Sequence, residues 1–178
     1  MKSDPSVAMR VRFARKDELE HLAEIWHEGW LDAHAPILPP ELARYRTLDS
    51  FTQRLHSALP NVRVLGPAGS PAGFCLVQGA ELYQLYVAAS GRRAGVGAAL
   101  LGDAEARLSA DGTRVAWLAC AIGNERAAMF YQRHGWTRAR TMVTPLETQA
   151  GPFPLKVWRF EKTVFPTSSG AAGFDGLS

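Results

Sequence analysis

Cysteine is scarce: Cys75 and Cys120 are the only two in 178 residues. Each sits inside an apolar run, so buried free thiols in a reducing compartment are expected, and a disulfide framework is not. No apolar stretch approaches the roughly 18 residues of a membrane span; the longest runs from Val115 to Ile122. The opening MKSDPSVAMR has no apolar block of the kind a secretory leader carries, and a cytoplasmic protein without membrane partners is the expectation. Glycine and proline, 16 and 11 residues, follow no period, and no internal repeat is visible, which excludes collagen-like and solenoid architectures. His21, His27, His34, His56 and His134 are scattered and make no ligand-spaced cluster with acids or cysteines, so no metal is expected. A G-x-S-x-G elbow is missing too, which removes the commonest serine hydrolase reading.

What remains is 47% apolar and carries 20 Lys and Arg against 17 Asp and Glu. That balance suits one globular domain, expected over residues 11–162, between a flexible start at 1–10 and a flexible tail at 163–178. The charge is uneven. Residues 1–60 hold eight basic and nine acidic groups, whereas residues 89–162 hold eleven basic and six acidic. A local excess of this size suits a small polyanion better than a duplex, and no nucleic-acid motif accompanies it, so no nucleic-acid partner is expected.

Periodicity divides the chain further. Val11 to Ala14 reads as a short strand. Asp17 offers an N-cap to a helix whose apolar stripe is Leu19, Leu22, Ala23, Trp26 and Trp30, with Glu20, Glu24 and Glu28 on the opposite, solvated face. A proline-rich loop from His34 to Pro40 precedes a second helical stretch, Glu41 to Leu59, interrupted near Asp49, with Leu48, Phe51, Leu55 and Leu59 on one face. Asn61 to Leu65, Ala72 to Gln78 and Glu81 to Val87 read as hairpin-linked strands. Val96 to Leu108 forms an amphipathic helix, and Arg114 to Ala121 a strand whose continuous apolar core predicts burial on both faces. Asn124 to Arg133 is a shorter helix closed by Gly135, and Trp136 to Thr144 and Leu155 to Glu161 are final strands.

Chemistry gathers where a strand meets a helix. Leu85 to Val87 run into a glycine-bearing turn, and the unpaired amides of the following helical turn, with its dipole, suit a phosphate group. Gly95 and Gly97 would allow close approach to the backbone, and Arg92 and Arg93 add charge. No Lys-Ser or Lys-Thr follows Gly97, which excludes a Walker A loop, and Leu100 breaks the dinucleotide G-x-G-x-x-G fingerprint. R-x-x-G-x-G remains, from Arg92, Gly95 and Gly97. Alone it is also compatible with a plain turn or a simple phosphate-binding module.

A second motif stands some thirty residues on: Asn124, Ala127, Phe130 and Tyr131, closed by Gly135 and Trp136. The pair resembles the GNAT superfamily of acyl-CoA-dependent N-acyltransferases, over roughly Val11 to Lys162. The resemblance implies an α/β fold, a mixed central sheet of about six to seven strands flanked by about four helices, with a splayed strand pair holding the cosubstrate acetyl-CoA. It implies that main-chain amides of Arg92, Arg93, Ala94, Gly95, Val96, Gly97 and Ala98 hold the pyrophosphate. Leu85, Tyr86 and Val87 would lie along the pantetheine arm, with an amide near Leu85 aimed at the thioester carbonyl. Asn124 and Ala127 match further cofactor contacts, Tyr131 the general acid near the sulfur, and Glu81 the position of a base acting through water.

For the acceptor, Trp30, His27 and Tyr83 are the candidate contacts, with Asp32, His34 and Gln84 nearby. The implied reaction is direct acetyl transfer to a primary amine in a ternary complex, the alternative being a catalytically silent acyl-CoA sensor on the same fold. A polyamine, an aminoglycoside-like compound, an amino acid and a protein amine all stay open as acceptors. Exposed final strands leave a homodimer open as well.

Overall fold

Strand-forming runs, each ended by glycine, proline or a polar turn, assemble one mixed sheet in the computed structural model, which describes residues 10–165. In chain order these are β1 (Arg12–Phe13), β2 (Val62–Leu65), β3 (Gly73–Gln78), β4 (Glu81–Val87), β5 (Val115–Ala121), β6 (Thr137–Leu146) and β7 (Phe153–Thr163). The helices are α1 (Leu19–Ala33), α2 (Pro40–Ala43), α3 (Leu48–Ala58), α4 (Val96–Ala110) and α5 (Glu125–Arg133). The sheet order is β1-β2-β3-β4-β5-β7-β6, antiparallel throughout except where β4 meets β5. That parallel step follows from the α4 crossover, as the strand-helix-strand pattern predicts. The fold is therefore the expected one, with the one-turn α2 as a fifth helix. Expectations for residues 1–9 and 166–178 lie outside the described residues. β7 runs to Thr163, and the buried Val164 donates its N–H to Arg114 O at 2.9 Å, so packing continues past residue 162.

Two cores lie on opposite faces of the sheet. Leu100, Leu101, Ala104 and Leu108 of α4 pack with Leu82, Leu118 and Phe160 on one side. On the other, Leu22, Trp26, Phe51 and Leu55 of α1 and α3 pack on Val62, Val64, Phe74 and Leu76. Trp26 stacks on Phe51 at 4.7 Å between ring centres.

Four local readings are corrected. Glu18 rather than Asp17 organises the start of the first helix. Asp17 is exposed and pairs with Arg15, while the fully buried Glu18 carboxylate accepts from Arg12 at 2.7 and 3.0 Å and from the N–H groups of Arg15 and Gly69, both at 2.9 Å. Burial by itself would raise its pKa, but these donors outweigh it and hold the carboxyl at about 2. The break in the second helical stretch comes before Leu48, because the Thr47 hydroxyl accepts from Ser50 N–H at 3.1 Å and starts α3. Leu48 sits on that first turn and is 43% exposed, outside the buried face. Finally, β5 is buried on one face only. Val115 is 47% exposed, and Trp117 is covered by the Arg159 guanidinium, 4.3 Å from its ring centre, instead of by a helix.

Candidate functional site

A defect in the sheet creates the main cleft. β4 and β5 pair only at Glu81 and Trp117, reinforced by Trp117 N–H to Ala80 O at 3.1 Å, and then part. On its other edge β4 carries a bulge: Leu76 faces Gln84 and Val77 faces Leu82, which leaves Tyr83 as the extra residue. Bulges bend and twist a strand. The orientation of the β4 amides then follows from one hydrogen bond. Ala88 N–H donates to Ala72 O at 2.7 Å, toward β3. By the two-residue alternation of an antiparallel strand, Tyr86 and Gln84 also turn their main-chain groups to β3, so Leu85 and Val87 turn theirs toward β5, into the gap.

That gap is continuous with the turn before α4, and together they enclose a cavity of about 990 Å³. Leu85, Tyr86, Val87, Arg92, Arg93, Gly95, Val96, Gly97 and Ala98 all border it; Ala94 does not, and its N–H is engaged by Gly91 O. The N–H groups of Arg93, Gly95, Val96, Gly97 and Ala98 have no acceptor among the described residues. Such a fan of donors at a helix start suits a polyanion. The backbone is shaped for it by left-handed conformations at Gly95, φ 79°, and at Arg93, φ 66°, the one non-glycine residue with positive φ among the described residues. The two glycines serve different ends. A Cβ at Gly95 would meet nothing, so its conformation is what requires glycine, whereas a Cβ at Gly97 would press on the Phe130 ring at 3.3 Å.

The opposite wall is β5 and α5. Asn124 caps α5, its side-chain oxygen accepting from Ala127 N–H at 3.3 Å. Asn124, Ala127 and Tyr131 all border the cavity, together with Cys120. Tyr131 packs edge-on to Phe130 at 5.3 Å, and its hydroxyl has no hydrogen-bond partner among the described residues. Burial pushes that phenol well above its ordinary pKa, and pushes the Cys120 thiol up to about 12.

The acceptor candidates divide. Tyr83 borders the cleft, but Trp30 does not: 5% exposed, it continues the buried α1 stripe of Trp26 and Ile25. His27 packs against Phe51, 6.1 Å between ring centres, and borders neither the cleft nor the smaller cavity described below. His34 does border the cleft, 3.4 Å from the Tyr86 hydroxyl, and burial with the nearby Arg46 charge lowers its pKa to about 4, so it is neutral. Glu81 sits where β4 and β5 meet, bordering neither cavity; burial raises its carboxyl to about 7 against the opposing pull of Arg159. Asp32, at the end of α1, accepts from both Arg92 and Arg126.

A second cavity, of about 410 Å³, lies between α3, β4 and the β6–β7 connection, and Tyr83 borders both. Its two arginines, Arg46 and Arg54, carry no distinguishing pattern in sequence and are found only by the folding of α3 over β4. Among the described residues no group of three or more His, Cys, Asp or Glu is placed to hold a metal ion, and no helix is long and apolar enough to cross a membrane.

A family model described as the acetyltransferase (GNAT) family matches residues 19–136. No curated protein matches the chain significantly by sequence. Among solved structures, a GCN5-related N-acetyltransferase from Rhodopseudomonas palustris is similar with a TM-score of 0.68 at 18% identity, over 88% of this chain and 96% of that one. YncA from Salmonella typhimurium, solved with acetyl-CoA, gives 0.66 at 16% identity over 93% and 99%. The PaiA N-acetyltransferase from Thermoplasma acidophilum, solved with coenzyme A, gives 0.59 at 20% identity over 87% and 98%. At these identities the likeness is one of fold.

Proposed function

The chain belongs to the acetyltransferase (GNAT) family, and from that premise we propose that it transfers an acetyl group from acetyl-CoA directly to a primary amine, both substrates being bound together. The observation that carries this reading is the β4–β5 gap, with the edges of Leu85 and Val87 turned into it, running into a turn of unpaired amides. Those two features match a pantetheine amide chain and a pyrophosphate in order and in chemistry. Structural neighbours solved with acetyl-CoA or coenzyme A support the same assignment.

When bound, acetyl-CoA supplies a thioester carbon open to attack by an amine. The chain's own residues then have distinct tasks. The amides of Arg93 and of Gly95 through Ala98 hold the diphosphate, and Arg92 adds charge. The Leu85 N–H faces the thioester oxygen and stabilises the negative charge that develops there, an effect of about 3 kcal/mol for one such donor. Asn124 and Ala127 form the far wall. Glu81 borders neither cavity and reaches the amine only through intervening water; with a pKa of about 7 it takes the proton that the amine sheds along that path. The unpartnered Tyr131 phenol gives a proton to the departing sulfur.

Direct transfer is supported by the state of the thiols. Burial raises Cys75 to about 11 and Cys120 to about 12, so neither offers a thiolate for an acyl-enzyme near neutral pH. The test is thiol release from acetyl-CoA across a panel of primary amines, beside calorimetry with coenzyme A. Amine-dependent release with a bound coenzyme is expected. Binding without release from any amine would leave a silent acyl-CoA sensor instead.

A further inference from the structure

Most arginines with a structural role in this protein hold a carboxylate: Arg12 pairs with Glu18, Arg63 and Arg107 with Asp103, Arg92 and Arg126 with Asp32, and Arg159 with Glu161. Arg46 and Arg54 do not. Neither takes part in an ion pair among the described residues, although Arg46 is only 5% exposed. Arg46 donates to one main-chain oxygen, Glu147 O, at 2.7 Å. Its other side-chain nitrogens make no hydrogen bond among the described residues and are not sealed from solvent, and the residue borders the second cavity. Arg54 lies 4.4 Å over the Trp26 ring and donates to the Tyr83 hydroxyl at 2.7 Å. A guanidinium removed from water without a counter-charge is costly, and two side by side cost more.

The cavity around them is polar, bordered also by Tyr45, Ser50, Gln53 and Gln78. Its one acidic lining residue, Glu147, is near enough to favour the Arg46 charge but makes no ion pair with either arginine, and burial with the neighbouring Arg54 charge outweighs it and lowers the Arg46 pKa. Tyr83 forms the wall shared with the cofactor cleft, at the bulge where β4 diverges from β5. The two charges also act across that wall: Arg46 lowers the His34 pKa, and both arginines oppose the rise at Tyr86.

We propose that this second cavity binds the carboxylate of the acceptor, so that the substrates are small amines bearing a carboxylate, with Arg46 and Arg54 as the specificity-determining pair. This rests on the transferase reading above and narrows it. Polyamines and other cationic amines are disfavoured, because they would bring positive charge to a site already holding two arginines. Planar guanidinium groups suit a carboxylate through paired N–H donors, and the Tyr83 hydroxyl stands beside one of them.

The experiment compares aminocarboxylates with their neutral counterparts: phenylalanine against phenylalaninamide, and 6-aminohexanoate against hexylamine. Thiol release from acetyl-CoA should give kcat/KM at least about tenfold higher for the carboxylate of the better pair. Arg54→Gln and Arg46→Gln should each erase that preference through KM while leaving the KM for acetyl-CoA unchanged. Arg54→Gln keeps the Arg46 bond to Glu147 O, so it serves should Arg46→Gln fail to fold. Calorimetry of the same compounds on the coenzyme A-saturated protein reads the site independently of turnover. Carboxylate-selective binding without turnover supports the pocket and removes the transferase reading, whereas equal or stronger binding of the neutral amines overturns the pocket.

Discussion

Asp32 accepts from Arg92 at 3.1 Å through the same carboxylate oxygen that receives Arg126 at 3.0 Å. One exposed acid thus engages two cations that border the main cleft. The bond from Arg126 is the main reason its pKa is lowered, with Arg92 adding to it. A phosphate arriving at the turn must compete with this carboxylate for Arg92.

Asp32→Asn should therefore tighten coenzyme A binding by about threefold at low ionic strength, with the gain fading toward 1 M salt. Calorimetry at two salt concentrations measures it. Weaker binding in the variant would mean that Asp32 orients Arg92 rather than competing for it.

The turn glycines should fail in different ways. Gly95→Ala forces a left-handed alanine, costing about 1 kcal/mol, and should weaken coenzyme A binding through a distorted turn. Gly97→Val drives a branched side chain at Phe130 and should cost at least about tenfold in affinity. Titrations of both variants, with melting temperatures, separate the two effects; unchanged affinity in both would remove the turn from the site.

Glu81 ties activity to pH. In the proposed reaction the carboxylate form is the base, so kcat/KM should rise through about pH 7, and Glu81→Gln should lower it about 100-fold and flatten the profile. Stability runs the other way. The folded-state pKa lies above the ordinary 4.5, so the protonated group favours folding at low pH, and this contribution is lost as pH rises through about 7. Glu81→Gln should accordingly melt at or above the wild-type temperature at pH 8, a result opposite to that of a merely structural carboxylate.

Tyr131→Phe removes a hydroxyl without a partner among the described residues, so its melting temperature and coenzyme A affinity should stay unchanged. Its kcat should fall by about 10- to 100-fold. An unaltered kcat would leave the tyrosine as a packing residue for Trp136 and Phe160.

Glu18 carries a stability prediction. Its pKa falls from 4.5 unfolded to about 2 folded, so it contributes about 3 kcal/mol above pH 4.5, lost as pH drops through 2. Glu18→Gln should destabilise by that order at pH 7 and by progressively less in acid, as followed by urea unfolding across pH.

The parts legible from residues alone are those set by local period and punctuation. β4 coincides with the expected Glu81 to Val87, and α4 starts at Val96 because Gly95 and Gly97 announce its turn. Leu85, Val87, Asn124, Ala127 and Tyr131 border a single cavity, because a strand end and a helix start are short-range features. What escaped depends on distant partners. Glu18 is identified by Arg12 and Gly69, the latter 51 residues away, and looks in sequence like any acid of a first turn. Trp30 stands on the apolar stripe of the first helix in sequence, and only the packing of α1 on the sheet decides that it serves the core and not the acceptor. Arg46 and Arg54 acquire meaning only when α3 closes over β4 and Glu147 arrives from the far end of the sheet.

The parted strands carry a consequence for how such a chain changes over generations. Edges that offer peptide groups recognise a ligand with atoms every amino acid possesses, so exchanges among residues of similar size leave that grip in place. Under the proposed function, selection is then free to rewrite the cavity behind Tyr83, whose lining is made of individual side chains, and a new diet of acceptors can be acquired without relearning how to hold the donor.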